Sequence, residues 1–162
     1  MSKKDMFLAL SGSRQGAIQG ESSANGHNQE IEINSWSWGM SQDVNLVAHG
    51  QSKASSRAIQ VTKDVDRSST AIMSALKSAE VLSEVVLVCR DSGGERPIDY
   101  LKIRLRSARI CDYEISGAGS ESNARQVQET FSLAFKDIEV TYTPKSGPNT
   151  KNGACTFVDS YE

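Results

Sequence analysis

The chain has 162 residues, of which 38% are hydrophobic and 23% charged, and its formal net charge is −2. That length is enough for one domain with its own hydrophobic core, and we expect residues 1–162 to form a single domain. The charge balance argues against nucleic acid as a partner, because phosphate binding needs a clear cationic excess.

No stretch of the sequence is suited to crossing a membrane. None approaches the roughly 18 consecutive apolar residues of a spanning helix, so we expect no membrane insertion. The N-terminal apolar run covers only residues 6–10, whereas a signal peptide has an apolar region of about 7–15 residues. We therefore expect synthesis in the cytoplasm without a signal peptide.

The first half of the chain is predicted to be mainly β-structure. Residues 3–10 form a first strand with apolar side chains on both faces, and a loop follows over residues 11–28. Residues 30–40 are the second strand and residues 59–64 the third. Between them, residues 45–57 include few apolar side chains, and a connection of that length is more often functional or disordered than neutral.

One helix is predicted, over residues 69–82. Its apolar side chains recur at helical spacing and form a stripe that docks on a sheet, namely Ile72, Ala75, Leu76 and Ala79. After the helix, strands at residues 85–90 and 98–106 flank a Gly-rich turn and form a hairpin. Further strands are predicted over residues 110–115, 126–142 and 156–160, with a Gly/Ser-rich loop at residues 116–124.

Two strands change the phase of their apolar residues midway. In the second strand Ile31 and Ile33 are odd-numbered, while the tryptophans at 36 and 38 are even-numbered. The strand over residues 126–142 changes in the same way. A strict period of two cannot keep each set on one face, so we predict bulges near residues 34–35 and 136–137. Bent antiparallel strands of this kind favour a small β-barrel with one flanking α-helix; a flat sandwich is the alternative.

No residue pattern in the sequence is typical of an enzyme or a metal site. The spacings of zinc proteases, phosphate-binding loops and dinucleotide-binding loops are all missing. His27 and His49 lie in Gly/Ser/Asn-rich segments, where we expect solvated side chains. Three cysteines cannot form a complete disulfide set, and Cys89, at the end of an apolar run, is expected to be a buried free thiol. We predict no enzymatic activity, cofactor or metal.

Trp36-Ser37-Trp38 places two indoles on one face of a strand and Ser37 on the other. We expect the indoles to pack in the core because of their large apolar area. Ser37 then lies on a face of small polar residues, as Thr130, Ser132 and Ala134 do in the late strand. Such strands suit a wall that encloses water. The alternative is a secreted carbohydrate- or lipid-binding β-barrel with exposed indoles.

Several segments resemble the haemolysin-coregulated protein (Hcp) family of type VI secretion systems. They are Asp5 to Leu8, Gly20 to Ser22, His27 with residues 30–32, residues 35–42, Thr62-Lys63 with Asp66 and Ser68-Ser69, residues 100–105 and residues 131–142. The Trp-Ser-Trp-Gly block within residues 35–42 is the most specific of these. The chain departs from the family pattern at Thr70, where many members have proline, and in a longer stretch at residues 12–18.

The resemblance implies a homo-hexameric ring and a tube of stacked rings inside a contractile sheath. The tube is fired into a neighbouring cell, so the protein would reach the extracellular medium or a target cell. Its partners would be further copies of itself, sheath and spike or baseplate proteins, and small protein effectors carried in the lumen. A phage-type tail tube protein is the alternative within the same structural class.

Within that implied ring, two groups of residues have predicted roles. We expect Ser37 first, and also Ser35 and Ser132, to face the lumen and its cargo, because the flanking tryptophans fix the direction of Ser37. We expect the extended loop at about residues 43–58 to contact the next ring through Asn45, His49, Gln51 and Lys53.

Overall fold

A computed structural model describes residues 5–44, 46–47, 54–93, 97–119, 126–144 and 153–161. The strands before the helix are β1 (Met6–Gly12), β2 (Gly16–Ile18), β3 (Ile31–Glu32), β4 (Ser35–Ser37), β5 (Met40–Ser41), β6 (Ser55–Ser56) and β7 (Ile59–Asp64). After α1 (Ser69–Lys77) come β8 (Leu82–Asp91), β9 (Ile98–Gly117), β10 (Val127–Ala134), β11 (Asp137–Tyr142) and β12 (Cys155–Ser160). The prediction of a mainly β, antiparallel fold with a flanking helix is confirmed.

The long strand β9 joins two sheets. Its first half pairs with β8 on one edge and with β11 on the other, and its second half pairs with β10. Sheet A consists of β1, β2, β3, β8, β11, β12 and the first half of β9, whereas sheet B consists of β4, β7, β10 and the second half of β9. Ser107 lies between the two halves with a φ of 52°, which is uncommon for serine and turns the strand.

Both predicted changes of phase occur where the chain passes from one sheet to the other. The Ile33 N–H donates to the Met6 carbonyl of β1 at 3.1 Å, and the next N–H, of Asn34, donates to the Thr62 carbonyl of β7 at 2.8 Å. The chain likewise leaves sheet B at the end of β10 and enters sheet A with β11. These sites are therefore complete breaks between strands, because the two sides of each break have different partners.

The core lies between the two sheets and the helix. The largest fully buried apolar side chains in it are Leu8, Leu10, Ile31, Ile33, Ile59, Ile72, Leu82, Leu87, Ile103 and Phe131. Burial of each contributes roughly 1.5–3 kcal/mol to the free energy of unfolding. The described strands run from β2 at one edge to β4 at the other, so within one chain the sheet is folded over but open.

Three predicted elements have different bounds in the structure. Helix α1 ends at Lys77 because Ala79 has a φ of 54° and its N–H bonds the Leu76 carbonyl at 3.1 Å. Ala79 is consequently exposed. The predicted loop at residues 11–28 begins with a hairpin, in which Leu10 of β1 lies opposite Ile18 of β2. The predicted strand at residues 110–115 is the second half of β9.

Candidate functional site

One face of sheet B is built from polar residues in register across all four strands. The first row consists of Ser35, Thr62, Thr130 and Glu114, and the second of Ser37, Gln60, Ser132 and Asp112. Residues directly opposite one another in an antiparallel sheet lie on the same face. The structure therefore brings Ser35, Ser37 and Ser132 together on one surface, which we call the polar face of sheet B.

The polar face is accessible and carries small hydrogen-bonding groups. Ser35 and Ser37 are exposed and Ser132 is half-buried. The hydroxyls of Thr62 and Thr130 lie 3.1 Å apart, within hydrogen-bonding distance. The serine, threonine and glutamine side chains of the face hold water and offer a ligand neutral donors and acceptors, while Asp112 and Glu114 add two carboxylates.

Sequence reasoning missed half of this face. Gln60 and Thr62 alternate with buried residues along β7, so their direction was readable from the sequence. The direction of Asp112 and Glu114 could not be read from the sequence, because they join the face only through the pairing of β9 with β10. A register shift between Ser132 and Leu133 of β10 occurs beside them, and such an irregularity changes which residues share a face.

The two indoles lie on the opposite side of β4 and pack against the core, although both remain half-buried. Trp36 lies opposite Val61 of β7. Trp38 donates its indole N–H to the Ser56 hydroxyl at 2.9 Å, and its ring centroid lies 6.3 Å from that of Phe135. Ser37 thus lies on the opposite face of the chain from the two indoles.

A buried ion pair joins β7 to β10 on the core side of sheet B. Lys63 Nζ contacts the Glu129 carboxylate, and neither side chain is exposed. The ammonium also donates to Asp66 Oδ1 at 2.8 Å, while the Ser69 hydroxyl donates to Glu129 Oε1 at 2.8 Å. The Tyr113 hydroxyl donates to Glu129 Oε2. This network ties the start of α1 to sheet B.

His27 is not the solvated loop residue that the sequence predicted, because only 6% of it is exposed. Its Nδ1 lies 2.7 Å from Glu30 Oε2, and its Nε2 lies 3.1 Å from both carboxylate oxygens of Asp99. The imidazole stacks on Phe7 with ring centroids 4.3 Å apart. His27 therefore fastens the β2–β3 connection to β1 and β9. Asp99 lies 72 positions along the chain, so local composition carried no sign of this contact.

A pocket of about 340 Å³ opens on the polar face at the end of β4. Its lining includes Ser37, Trp38, Gly39, Arg57, Gln60 and Ser132. Two of the three predicted cargo-facing serines thus lie at one concave site, whereas Ser35 lies on the same face outside it. Arg57, the charged residue of the lining, was not singled out from the sequence.

The predicted loop residues Asn45, His49, Gln51 and Lys53 lie outside the described residues. The base of the loop is a short ladder in which Met40 lies opposite Ser56 and Ser41 opposite Ser55. Beyond it, Val44 is 65% and Leu46 92% exposed.

The cysteines and acidic groups indicate no further chemistry in the described part of the chain. Cys89 is buried, as predicted, while Cys111 and Cys155 are exposed. Among the described residues, no group of three or more His, Cys, Asp or Glu side chains is placed to hold a metal ion. Within those residues, no helix has both the length and the apolar character that a membrane crossing requires.

Known proteins resemble this chain over most of its length. Residues 7–142 match the family model described as type VI secretion system effector, Hcp. Protein hcp1 of Pseudomonas aeruginosa is 30% identical over 152 residues, which cover 92% of this chain and 89% of that protein.

Solved structures share the fold. A structure described as a type six secretion system protein has a TM-score of 0.82 at 22% identity and covers 98% of this chain and 96% of its own. A type VI secretion system effector from Yersinia pestis has a TM-score of 0.75 at 23% identity, covering 96% and 99%. Hcp1 from Salmonella typhimurium has a TM-score of 0.73 at 24% identity, covering 97% and 95%.

Proposed function

The chain belongs to the Hcp family and is a structural tube protein of a type VI secretion system, and we propose that sheet B forms its part of the tube wall. Proteins of this family form rings and tubes within the system and are secreted by it. The observation that carries the proposal is the exposed polar face of sheet B, bounded on each side by a strand edge.

Sheet B ends in two edges that no other described strand pairs with. One is the outer edge of β4, and the other is the outer edge of β9 over residues 109–117, since β8 pairs with β9 only as far as Ala108. Unpaired edges template the addition of further strands. The four strands alternate in direction, so β9 of one copy and β4 of the next would run antiparallel.

This arrangement supports a homo-hexamer in which the sheets B of successive copies close into one continuous barrel. Closure would remove every exposed edge of sheet B, which is the physical advantage of a ring over an isolated subunit. The polar face would line the lumen and the core side would hold each subunit together. In an isolated subunit sheet B would stay open, because the strands that pair with its two edges belong to neighbouring copies.

In this ring Ser37, Ser35 and Ser132 would face the cargo, small protein effectors carried in the lumen. Their hydroxyls form hydrogen bonds that compete with water, so each contributes little net affinity. Weak binding suits a carrier that must release its cargo. The role proposed is structural, with no catalytic step.

The loop at about residues 43–58 would contact the next ring of the stack through Asn45, His49, Gln51 and Lys53. The exposure of Val44 and Leu46 beside these residues supports the proposal, because exposed apolar side chains close together mark interaction surfaces. Sheath and spike or baseplate proteins would be the remaining partners of the stacked rings.

Native mass spectrometry and negative-stain electron microscopy of the full chain test the ring. The expected result is a hexameric ring; a monomer at high protein concentration would contradict it. The lumen is tested separately with Ser37→Glu, which should leave rings intact and reduce effector binding. Thr156→Glu, at an exposed position of β12 in sheet A, is the matched control and should affect neither.

A further inference from the structure

Arg57 holds its guanidinium directly over the backbone of Gly39. A Cβ atom added at Gly39 would lie 2.4 Å from Nη2 and 2.8 Å from Cζ of Arg57. Glycine is therefore the residue that lets the guanidinium rest against β4. Since Arg57 shares its pocket with Ser37, Gln60 and Ser132, the guanidinium lies on the polar face of sheet B.

The guanidinium has donors to spare. Arg57 is exposed, and among the described residues no carboxylate or carbonyl accepts a hydrogen bond from its side chain. Only its backbone is engaged there, with the N–H donating to the Gly39 carbonyl at 2.9 Å and the carbonyl accepting from Ser56 Oγ at 3.1 Å. A guanidinium presents its N–H groups in a fixed fork that matches a carboxylate with two parallel hydrogen bonds.

The surroundings favour one carboxylate over a chain of phosphates. The pocket residues next to Arg57 are neutral, and the Ser37 and Ser132 hydroxyls can each donate to an anion. Asp112 lies opposite Ser132 in the adjoining strand, and Glu114 lies one row further along the same face. These carboxylates would repel a polyanion that extended across the sheet, but they leave room for a single negative group at Arg57.

We infer that this pocket binds a carboxylate of an exported polypeptide, with Arg57 as the residue that selects it. The inference rests on the proposed function, in which the polar face lines the lumen. The guanidinium would form a bidentate pair with an aspartate, glutamate or C-terminal carboxylate. Because the pocket is open to water, each such contact would be modest in strength, and a ring would gain hold of its cargo by repeating the contact in every subunit.

The test uses the full-length assembled protein and two C-terminally amidated Gly/Ser hexapeptides labelled at the N-terminus with a neutral boron-dipyrromethene dye. One peptide has a single glutamate and the other has glutamine in its place, so the glutamate side chain is the only carboxylate that differs. Fluorescence anisotropy at low ionic strength should show the glutamate peptide binding about fivefold more tightly, the ratio that corresponds to about 1 kcal/mol, the upper end for an exposed ion pair. Arg57→Gln should abolish the difference. Arg106→Gln is the matched control, since Arg106 is exposed and lies in the half of β9 that belongs to sheet A, away from the pocket.

Gly39→Ala tests whether the position of the Arg57 guanidinium matters, because this variant moves the positive charge without removing it. The three atoms nearest the added methyl group all belong to the flexible side chain of Arg57, so rings should still form while the preference for glutamate falls. Arg57→Lys should retain part of the preference, because it keeps the charge and loses the fork.

Three outcomes would overturn the inference while leaving the tube function standing. The first is an unchanged glutamate preference in Arg57→Gln rings. The second is binding of a single-stranded oligonucleotide that depends on Arg57 as strongly as peptide binding does. The third is loss of rings in Arg57→Gln by native mass spectrometry, which would make Arg57 a subunit contact. Absence of rings in the unmodified protein would instead refute the proposed function, and the inference with it.

Discussion

Lys63 of β7 and Glu129 of β10 lie directly opposite each other on the core side of sheet B, and neither side chain has exposed surface. A buried charge is tolerated only where its partners satisfy it. Lys63 has three such contacts beside Glu129, to Asp66 Oδ1, the Ser69 hydroxyl and the Asp64 carbonyl. The core side of sheet B is therefore stabilised by an ion pair as well as by apolar packing, and the polar face of sheet B remains exposed to water.

Lys63→Met should lower the free energy of unfolding by roughly 3–5 kcal/mol, because it leaves the Glu129 carboxylate buried without its cation. Chemical denaturation of the purified chain measures this loss. The double variant Lys63→Met with Glu129→Leu should recover much of the stability, since it removes both charges. A double variant no more stable than the single one would show that the network has another role in folding.

Tyr113 should ionise later than an ordinary tyrosine. Burial is the main cause that raises the pKa of its hydroxyl, and the hydrogen bond to Glu129 and the charge of Glu129 raise the pKa further. A raised pKa in the folded state means that this stabilisation is complete below the ordinary tyrosine pKa of about 10 and is lost as the pH rises toward the folded value. Ultraviolet titration of the wild type and of Tyr113→Phe should differ by one late-titrating phenol; a difference in the ordinary range would contradict the geometry.

Glu80 should stabilise the fold at neutral pH and lose that effect in acid. Burial acts to raise the pKa of its carboxyl, but hydrogen bonds from the backbone and side chain of Gln15 and from the backbone of Arg14, with the charge of Arg14, lower the pKa overall. A lowered pKa gives stability that is present above the ordinary value of 4.5 and is lost as the pH falls through the folded value.

Glu80→Gln should therefore melt a few degrees lower than the wild type at pH 7, since one charged hydrogen bond contributes about 1.5–3 kcal/mol and each kcal/mol shifts the Tm by about 2–4 °C at this size. Below pH 4.5 the two melting temperatures should converge. Glu84→Gln is the control, because Glu84 pairs with Arg104 at 3.2 Å on an exposed surface where such pairs contribute about 0–1 kcal/mol. If the difference between the two melting temperatures increased in acid, the pKa of Glu80 would be raised in the folded state and not lowered.

The limits of sequence reasoning are clear at particular residues. The bounds of β7 were predicted correctly because the apolar Ile59 and Val61 alternate with the polar Gln60 and Thr62. The end of α1 was predicted incorrectly, since Ala79 fits the apolar stripe of the helix and only the backbone conformation of Ala79 ends the helix. The changes of phase were found from their periodicity, yet their cause, a change of sheet, depends on partners distant in sequence. Arg57 was missed for the same reason, because its place beside Ser132 comes from the pairing of β7 with β10.

His27→Ala should loosen the β2–β3 connection without disturbing sheet B. The substitution removes the stacking contact with Phe7 and leaves Glu30 and Asp99 without their shared partner, a loss of about 1–3 kcal/mol. Hydrogen exchange should become faster at Ser22 and Gln29, whose N–H groups donate to the Glu30 and Ser22 carbonyls at 3.0 and 2.7 Å. The amides of β10 serve as the internal control and should keep their protection. Unchanged exchange in the β2–β3 connection would mean that the backbone hydrogen bonds of the connection maintain its structure without the imidazole. The burial of His27 would then be a result of that structure and not its cause.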